Sequence, residues 1–350
     1  MRFGSDQTMV RRVATALAVV SALALAGCSS GSSDGAAPTT TAPRQAPAKG
    51  PSAAKIGTYA VGAHSEVWVD ETRSTNANGK EPAKPDRTLP ALVLYPAKGT
   101  GSSTVQVDDA PPAKGPFPLV VFSHGVTSQG PEYAQSLRVI ASAGYVVVAP
   151  TYPLSNRNTP GGAVVTDMPS QAKGDIPFVI DQALAANDTD GYLHGLIDPD
   201  EIGLAGHSLG AVTSITAGYD PCCAERRAKA VAEWSGVLVP LTRPFHVAKG
   251  AEHLPLLIVH GTDDGTVPYG SAAGVYRAVG TPKVEVSLPG QGHVPAFVVG
   301  EGSPAGEVVL DTTVAFFDAE LKGDHTGLDR LKQVVDEAGP KVATLQEDLG

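Results

Sequence analysis

The chain has 350 residues, of which 42% are hydrophobic and 18% charged, so it can bury a large core and is not disordered as a whole. Its formal net charge of −10, with no basic run to offset it, argues against a nucleic-acid-binding protein. Three cysteines are too few for a small disulfide scaffold and lack the paired spacing of a structural zinc site.

The N-terminal segment has the pattern of an export signal. Three arginines among the first twelve residues precede an uncharged apolar run at 13–26, which is too short for a comfortable transmembrane helix. The residues Leu-Ala-Gly-Cys at 25–28 resemble the lipobox of bacterial lipoproteins, in which cleavage leaves Cys28 as a lipidated N-terminus. We therefore expect residues 1–27 to be a lipoprotein signal peptide and the protein to be extracytoplasmic and membrane-anchored. An ordinary secretory signal with an incidental cysteine, and a secreted protein, is the alternative.

Residues 28–55 are rich in Ser, Pro, Ala, Gly and Thr and contain almost no large apolar side chain, which predicts a flexible tether. The folded domain is therefore expected to span 56–350. Seven apolar runs in it, bounded by Gly, Pro or Asp, predict strands covered on both faces: Thr88–Pro96, Phe117–Ser123, Tyr145–Pro150, Glu201–Gly206, Ala228–Trp234, Leu254–His260 and Lys283–Leu288. Helices are predicted between and after them, at Glu132–Ala143, Asp175–Asn187, Leu209–Ala217, Ser271–Val279 and Glu307–Leu321.

This alternation predicts an α/β fold with a mainly parallel, doubly wound sheet, whose chemistry lies at the carboxyl ends of the strands. GHSLG at 206–210 follows a predicted strand and opens a predicted helix. Small residues are needed on such a tight turn, which projects the Ser208 hydroxyl above the sheet and directs the Leu209 amide at a developing oxyanion. The alternative is a glycine-flanked serine that merely caps a helix.

Two further strand ends supply an acid and a base. HGTDDGTVP at 260–268 offers two aspartates, of which Asp264 is the predicted partner of an imidazole and Asp263 the residue that caps the turn. GQGH at 290–293 places His293 in a glycine-rich loop from which its imidazole can reach Ser208. Turn chemistry alone also accounts for the aspartates, and a lone loop histidine is usually a surface residue. The chain order Ser–Asp–His favours the catalytic interpretation.

A fourth strand end, SHGVTS at 123–128, offers the Val126 amide as a second oxyanion donor. His124 is interpreted as a structural residue of this loop. Trp234, at the end of another predicted strand, is a candidate wall of the substrate cleft or, equally, a core aromatic. The loop at 157–174 is a candidate for the rim of that cleft.

Taken together, GHSLG, HGTDDGTVP, GQGH and FSHGVTS resemble the α/β-hydrolase superfamily, and within it the dienelactone-hydrolase-like, platelet-activating-factor-acetylhydrolase-like and cutinase-like esterases. The resemblance covers about residues 88–297 and the C-terminal helix. It implies an α/β-hydrolase fold and a carboxylic-ester hydrolase with a Ser-His-Asp triad, an acyl-enzyme intermediate and no cofactor or metal. Only residues 235–253 separate two predicted strands where many relatives carry a cap, so we expect little or no cap domain.

Two other functions fit the same residues. An acyltransferase would use the same acyl-enzyme with an alcohol in place of water, and a catalytically inactive surface lipoprotein would keep the fold as a binding module. An ester substrate and a membrane, reached through the lipidated N-terminus, are the expected partners. Cys222 and Cys223 can be free thiols or a vicinal disulfide, because adjacent Cα atoms lie about 3.8 Å apart, below the usual disulfide range.

Overall fold

The computed structural model of the protein describes residues 57–101, 105–298 and 302–350. The predicted signal peptide, Cys28 and the tether at 28–55 lie outside the described residues. Ten strands form one sheet in the order β10-β9-β8-β7-β6-β4-β5-β2-β1-β3. Their bounds are β1 Tyr59–Asp70, β2 Arg87–Thr100, β3 Gln106–Asp108, β4 Phe117–Ser123, β5 Val146–Pro150, β6 Ile197–His207, β7 Ala228–Trp234, β8 Leu256–Gly261, β9 Lys283–Leu288 and β10 Thr344–Asp348.

The six central strands, β4 to β9, are parallel, and β1, β2 and β10 join the sheet antiparallel at its two sides. The central strands are continuous apolar runs because both of their faces are covered: every residue of β4, β5 and β8 is buried. The prediction of a mainly parallel sheet is confirmed. The strands at the sides, β1, β3 and β10, were not predicted.

Helices cover both faces of the sheet. Their bounds are α1 Ala134–Ser142, α2 Met168–Ser170, α3 Ile176–Asp188, α4 Leu209–Tyr219, α5 Gly270–Ala278, α6 Pro295–Val298, α7 Pro304–Leu321 and α8 Gly327–Ala338. Short 3₁₀ turns lie at Gly130–Tyr133 and Val165–Asp167, and a π turn at Gln171–Asp175 joins α2 to α3. One core packs α2 to α5 against the sheet, and a second core packs α1, α6, α7 and α8 against the opposite face. The predicted doubly wound architecture is therefore present.

A buried ion-pair cluster fastens β2 to the segment before α3. The Arg87 side chain is 1% exposed, and its guanidinium binds Asp167 at 2.5 Å and Asp175 at 2.6 Å. Arg73 adds a second guanidinium on Asp175 at 2.8 Å. Charges as deeply buried as these persist only when they are paired, so the cluster is expected to fix the position of this segment.

The connection between β7 and β8 is short and irregular. Residues 235–253 contain no helix or strand in the structure, which agrees with the expectation of little or no cap. The carboxylate of Asp220 holds this connection by accepting bonds from the amides of Leu241 and Thr242 at 2.7 and 3.0 Å. Beside it, Cys222 and Cys223 are joined in a vicinal disulfide, one of the two states that the sequence left open.

Candidate active site

A sharp strand-to-helix turn presents Ser208. The residue lies between β6 and α4 with φ 57° and ψ −121°, a conformation that non-glycine residues rarely adopt. The turn is closed so tightly that its neighbours must be glycines. A Cβ on Gly206 would lie 2.4 Å from the Gly210 backbone, and one on Gly210 would lie 1.9 Å from the Ser123 carbonyl oxygen. The requirement for small flanking residues, inferred from the GHSLG pattern, is thus a direct steric one.

Three predicted residues meet at this turn. The Ser208 Oγ and the His293 Nε2 are 2.8 Å apart, and the His293 Nδ1 lies 2.6 Å from the Asp264 Oδ2. A carboxylate can only accept, so Nδ1–H donates to Asp264 and the lone pair of Nε2 receives the Ser208 hydroxyl proton. The structure therefore brings the three side chains together in the order needed for proton transfer. Their catalytic roles remain a prediction.

Asp264 is held rigidly behind the imidazole. Its Oδ1 accepts bonds from the amides of Thr266 and Val267, both at 2.8 Å. Burial opposes ionisation, but hydrogen bonds from His260, His293 and the Val267 amide lower the pKa of Asp264 well below its usual range. Asp264 is therefore a carboxylate at neutral pH.

The neighbouring aspartate has a different environment. Asp263 is exposed, and its Oδ1 accepts a bond from Thr262 Oγ1 at 3.2 Å. Its amide donates to the Gln291 carbonyl at 3.0 Å, which ties the turn to the loop that carries His293. The structure thus places Asp264, and not Asp263, beside His293. The prediction that Asp263 caps the turn was wrong, because the carboxylate that accepts the amides of the turn is that of Asp264.

A second set of hydrogen bonds, which the sequence did not reveal, links the strand-to-helix turn at 206–210, which we call the elbow, to the two loops around it. The Tyr133 hydroxyl donates to His207 Nδ1 at 2.8 Å and accepts from the Gly125 amide at 3.2 Å. The other nitrogen of His207, Nε2, donates to the His293 carbonyl at 2.7 Å. Burial, together with the nearby His293, lowers the pKa of His207 to about 3, so the ring is neutral and both nitrogens are satisfied. We call Tyr133 and His207 the strut.

The two predicted oxyanion donors belong to segments next to Ser208. Leu209 is the first residue of α4, and the amides of a helix's first turn have no partner within the helix. Val126 follows Gly125, whose position is so close to the nucleophile that a Cβ there would lie 3.3 Å from Ser208 Cβ. The Val126 amide donates to no protein group among the described residues. Both placements are compatible with donation to an oxyanion.

His124, beside these donors, has a structural role, as expected. Its Nδ1 donates to the Gly125 carbonyl at 2.7 Å and its Nε2 accepts from the Tyr152 amide at 3.0 Å. The ring is fully buried, and this burial lowers the pKa of His124 to about 4. It is therefore a neutral spacer that shapes the loop.

A cleft of about 400 Å³ opens above Ser208 and His293. Its lining combines apolar side chains, the strut, and a polar edge: Gly125, Val126, Thr127, Ser128, Glu132, Tyr133, Arg157, Val165, His207, Ser208, Thr266, His293, Val294 and Val298. At the polar edge, Glu132 binds Arg157 at 2.6 Å and Ser128 at 2.6 Å. Arg157 and Val165 belong to the loop that was predicted to form the rim.

Trp234 does not line this cleft, so its assignment as a substrate-binding residue was wrong. Its indole is 0% exposed and packs between Phe122 and Phe297 in the core, with Nε1 donating to Thr313 Oγ1 at 3.1 Å. Successive residues of a strand point to opposite faces, and Trp234 points to the face that is covered by α7.

The described residues contain no cluster of three or more His, Cys, Asp or Glu side chains placed to hold a metal ion. No helix among them is both long enough and apolar enough to span a bilayer.

Comparison with known proteins supports this description. A family model described as Chlorophyllase matches residues 103–220, about a third of the chain, a stretch that includes Val126, Ser208 and Leu209. The structure is similar to that of a ferulic acid esterase from Streptomyces cinnamoneus, with a TM-score of 0.55 and 19% identity over 77% of this chain and 92% of that one. No curated protein matches the chain significantly. The prediction of an α/β-hydrolase fold is confirmed, and the family match and the neighbour support the prediction of a serine-hydrolase-type esterase.

Proposed function

We propose that this chain, an α/β-hydrolase of the serine-esterase type, hydrolyses carboxylic esters through Ser208, His293 and Asp264. One observation carries the proposal: two hydrogen bonds, 2.8 Å and 2.6 Å long, run from the Ser208 hydroxyl, which lines an open cleft, through His293 to the buried carboxylate of Asp264. A serine hydroxyl is a weak nucleophile until an adjacent base takes its proton. The described geometry supplies that base in the correct tautomer.

The reaction proceeds in two balanced halves. Ser208 Oγ attacks the ester carbonyl carbon while its proton passes to His293 Nε2, and the imidazolium then gives that proton to the departing alkoxide. Asp264 stabilises the imidazolium without taking its proton. Water next loses a proton to His293 and attacks the acyl-enzyme, and the acid is released as the proton returns to Ser208 Oγ.

Oxyanion stabilisation is assigned to the amides of Val126 and Leu209. The strained backbone of Ser208 and the start of α4 direct the second amide at the site where negative charge develops. Each such donor is worth about 2.7–4 kcal/mol of barrier in serine hydrolases. The strut supports the first of these donors, since Tyr133 binds the amide of Gly125, the residue before Val126.

Active-site labelling tests the proposal. A fluorophosphonate probe should label the wild-type chain and not Ser208→Ala, and p-nitrophenyl esters of rising acyl length should be cleaved by the wild type and not by that variant. Ser142→Ala is the matched control, because the Ser142 hydroxyl is buried and bonded to the Val139 carbonyl at 2.8 Å, outside the cleft. Absence of labelling in a folded wild-type chain would favour a binding protein that has kept the fold.

The location of the enzyme is proposed from the sequence. We infer that processing before Cys28 leaves a diacylated N-terminus that holds the domain at the outer side of a membrane, with residues 29–55 as the tether. Radiolabelled fatty acid should be incorporated into the full-length chain expressed in a bacterial host and not into Cys28→Ala. Release of an unlabelled wild-type protein into the medium would instead indicate an ordinary secretory signal.

A further inference from the structure

A second histidine lies behind the acid of the proposed triad. His260, in β8, is fully buried and pairs in the sheet with Ser287 of β9. Its Nε2 lies 2.9 Å from the Val267 carbonyl oxygen and 3.4 Å from Asp264 Oδ2. Since a carbonyl can only accept, this nitrogen carries a proton, and the Oδ2 atom of Asp264 faces two N–H groups: that of His293 at 2.6 Å and that of His260 at 3.4 Å.

The opposite nitrogen of His260 faces a buried acid. Glu233 of β7 pairs with Ile258, two residues before His260, so both side chains lie on the same face of the sheet. Glu233 is 0% exposed, and its Oε2 accepts from the Gly236 amide at 2.7 Å. Its Oε1 and the Nδ1 of His260 are both buried without a hydrogen-bond partner among the described residues. A buried polar atom without a partner is costly, and here two of complementary chemistry occur within electrostatic reach.

The other charged and titratable groups around His260 have partners of their own. The Tyr269 ring lies edge-on to the imidazole at 5.9 Å, while its hydroxyl contacts Glu285 Oε1 at 2.9 Å and Ser287 Oγ at 2.6 Å. His207 also interacts electrostatically with His260, but both its nitrogens are bonded elsewhere. Glu233 and Asp264 are thus the two carboxyl groups that act directly on this imidazole.

We propose that His260 is a positioning residue of the serine-hydrolase site: its Nε2–H group, which lies between the Val267 carbonyl and Asp264, holds the Asp264 carboxylate behind His293. The inference rests on the proposed function, because it assigns Asp264 as the acid of the triad. A core histidine without this role would only fill space between β7 and β9.

His260→Leu and His260→Gln test the proposal against Ile258→Val. Leucine fills the space without a donor, glutamine keeps an N–H for the Val267 carbonyl, and the control loosens the same face of the same strand while leaving every polar group in place. We expect kcat to fall about 10- to 100-fold in the leucine variant, by analogy with the range known for residues that orient metal ligands, with partial recovery in the glutamine variant and little change in the control. Equal kcat in the leucine variant and the control would overturn the proposal.

A readout that does not require turnover separates this inference from the proposed function. The proton between His293 Nδ1 and Asp264 should give a low-field proton NMR signal in the wild type and in His260→Gln, and the signal should be lost or broadened in His260→Leu. Its persistence in the leucine variant would refute positioning even if the wild type cleaves no ester. If the wild type neither labels nor turns over but the signal depends on His260, the proposed function fails and the positioning role stands.

Discussion

Removing the Tyr133 hydroxyl should break the strut without altering the three residues of the proposed triad. Tyr133 is 1% exposed, and its hydroxyl satisfies both the His207 Nδ1 and the Gly125 amide. Tyr133→Phe leaves both of these groups unpaired in a buried place, and each unpaired group costs about 1–3 kcal/mol. Because the bond to Gly125 is long, at 3.2 Å, we expect a total loss of about 2–3 kcal/mol of unfolding free energy.

The same substitution should lower kcat more than it raises KM. Gly125 precedes the proposed oxyanion donor Val126, and His207 holds the backbone of His293, so both loops lose a support at once. A partial loss of one oxyanion donor predicts a decrease of about 10- to 100-fold in kcat. Urea denaturation measures the first effect and p-nitrophenyl ester kinetics the second.

Tyr219→Phe is the matched control for this experiment. The Tyr219 hydroxyl is equally buried, but it donates to the Leu254 carbonyl at 2.9 Å, near the start of β8 and remote from the cleft. It should reduce stability by about 1 kcal/mol and leave kcat unchanged. If Tyr133→Phe loses stability but keeps the kcat of this control, the strut has no part in holding the oxyanion loop.

Three further predictions concern stability. Arg87→Met leaves two buried carboxylates without their cation and should lower the free energy of unfolding by about 3–5 kcal/mol. Arg330→Met, at a half-exposed arginine, should lower it by less than about 1 kcal/mol. Equal losses for the two variants in urea denaturation would contradict the role assigned to the buried cluster. Burial lowers the pKa of His124 to about 4, below the value of about 6.5 for an unfolded histidine. The neutral ring therefore contributes fully to the free energy of unfolding above about pH 6.5, and this contribution is lost as the pH falls through 4. In His124→Gln the loss of stability between pH 6.5 and pH 4 should therefore be shallower, by up to about 1.4 kcal/mol per pH unit, and an unchanged slope in urea titrations would show that His124 does not titrate on unfolding. Gly210→Ala should abolish folding or fluorophosphonate labelling, because the added Cβ would lie 1.9 Å from a carbonyl oxygen. The control Gly274→Ala, in open space on α5, should raise the free energy of unfolding by about 0.5–1 kcal/mol. Normal labelling of Gly210→Ala would mean that the elbow adapts to the added methyl group.

The central strands were predictable because the burial of both their faces requires a continuous run of apolar residues in the sequence. β4, β7 and β9 have the bounds expected from their apolar runs, since both faces of these strands are covered. β1 and β10 have no such continuous apolar run. Ser65, Val67 and Val69 of β1 are exposed, and most of β10 is exposed too, so these segments are strands because of the ladders they form with β2 and β9. The pairing of two segments cannot be inferred from the residues of one segment alone.

The candidate site likewise contains residues that local sequence patterns predict and residues that they do not. Ser208, Asp264 and His293 stand on glycine-rich turns whose shapes can be inferred from a few adjacent residues, and the structure places them within hydrogen-bond reach of one another. Tyr133 and His207 are 74 positions apart, and the residues next to either of them in the sequence do not predict their contact. Trp234 failed for a related reason: the sequence locates it at a strand end but does not tell which face it points to.

The 85 positions between the hydroxyl and the imidazole have a consequence for biosynthesis. A nascent chain can complete β6, the elbow and α4 while the segment that bears residue 293 is still inside the ribosome. Until β8 and β9 have joined the sheet, that hydroxyl has neither base nor acid beside it. Reactivity toward esters should therefore arise in one step, late in synthesis, and truncated products that end before β9 should be inert even where they have begun to fold.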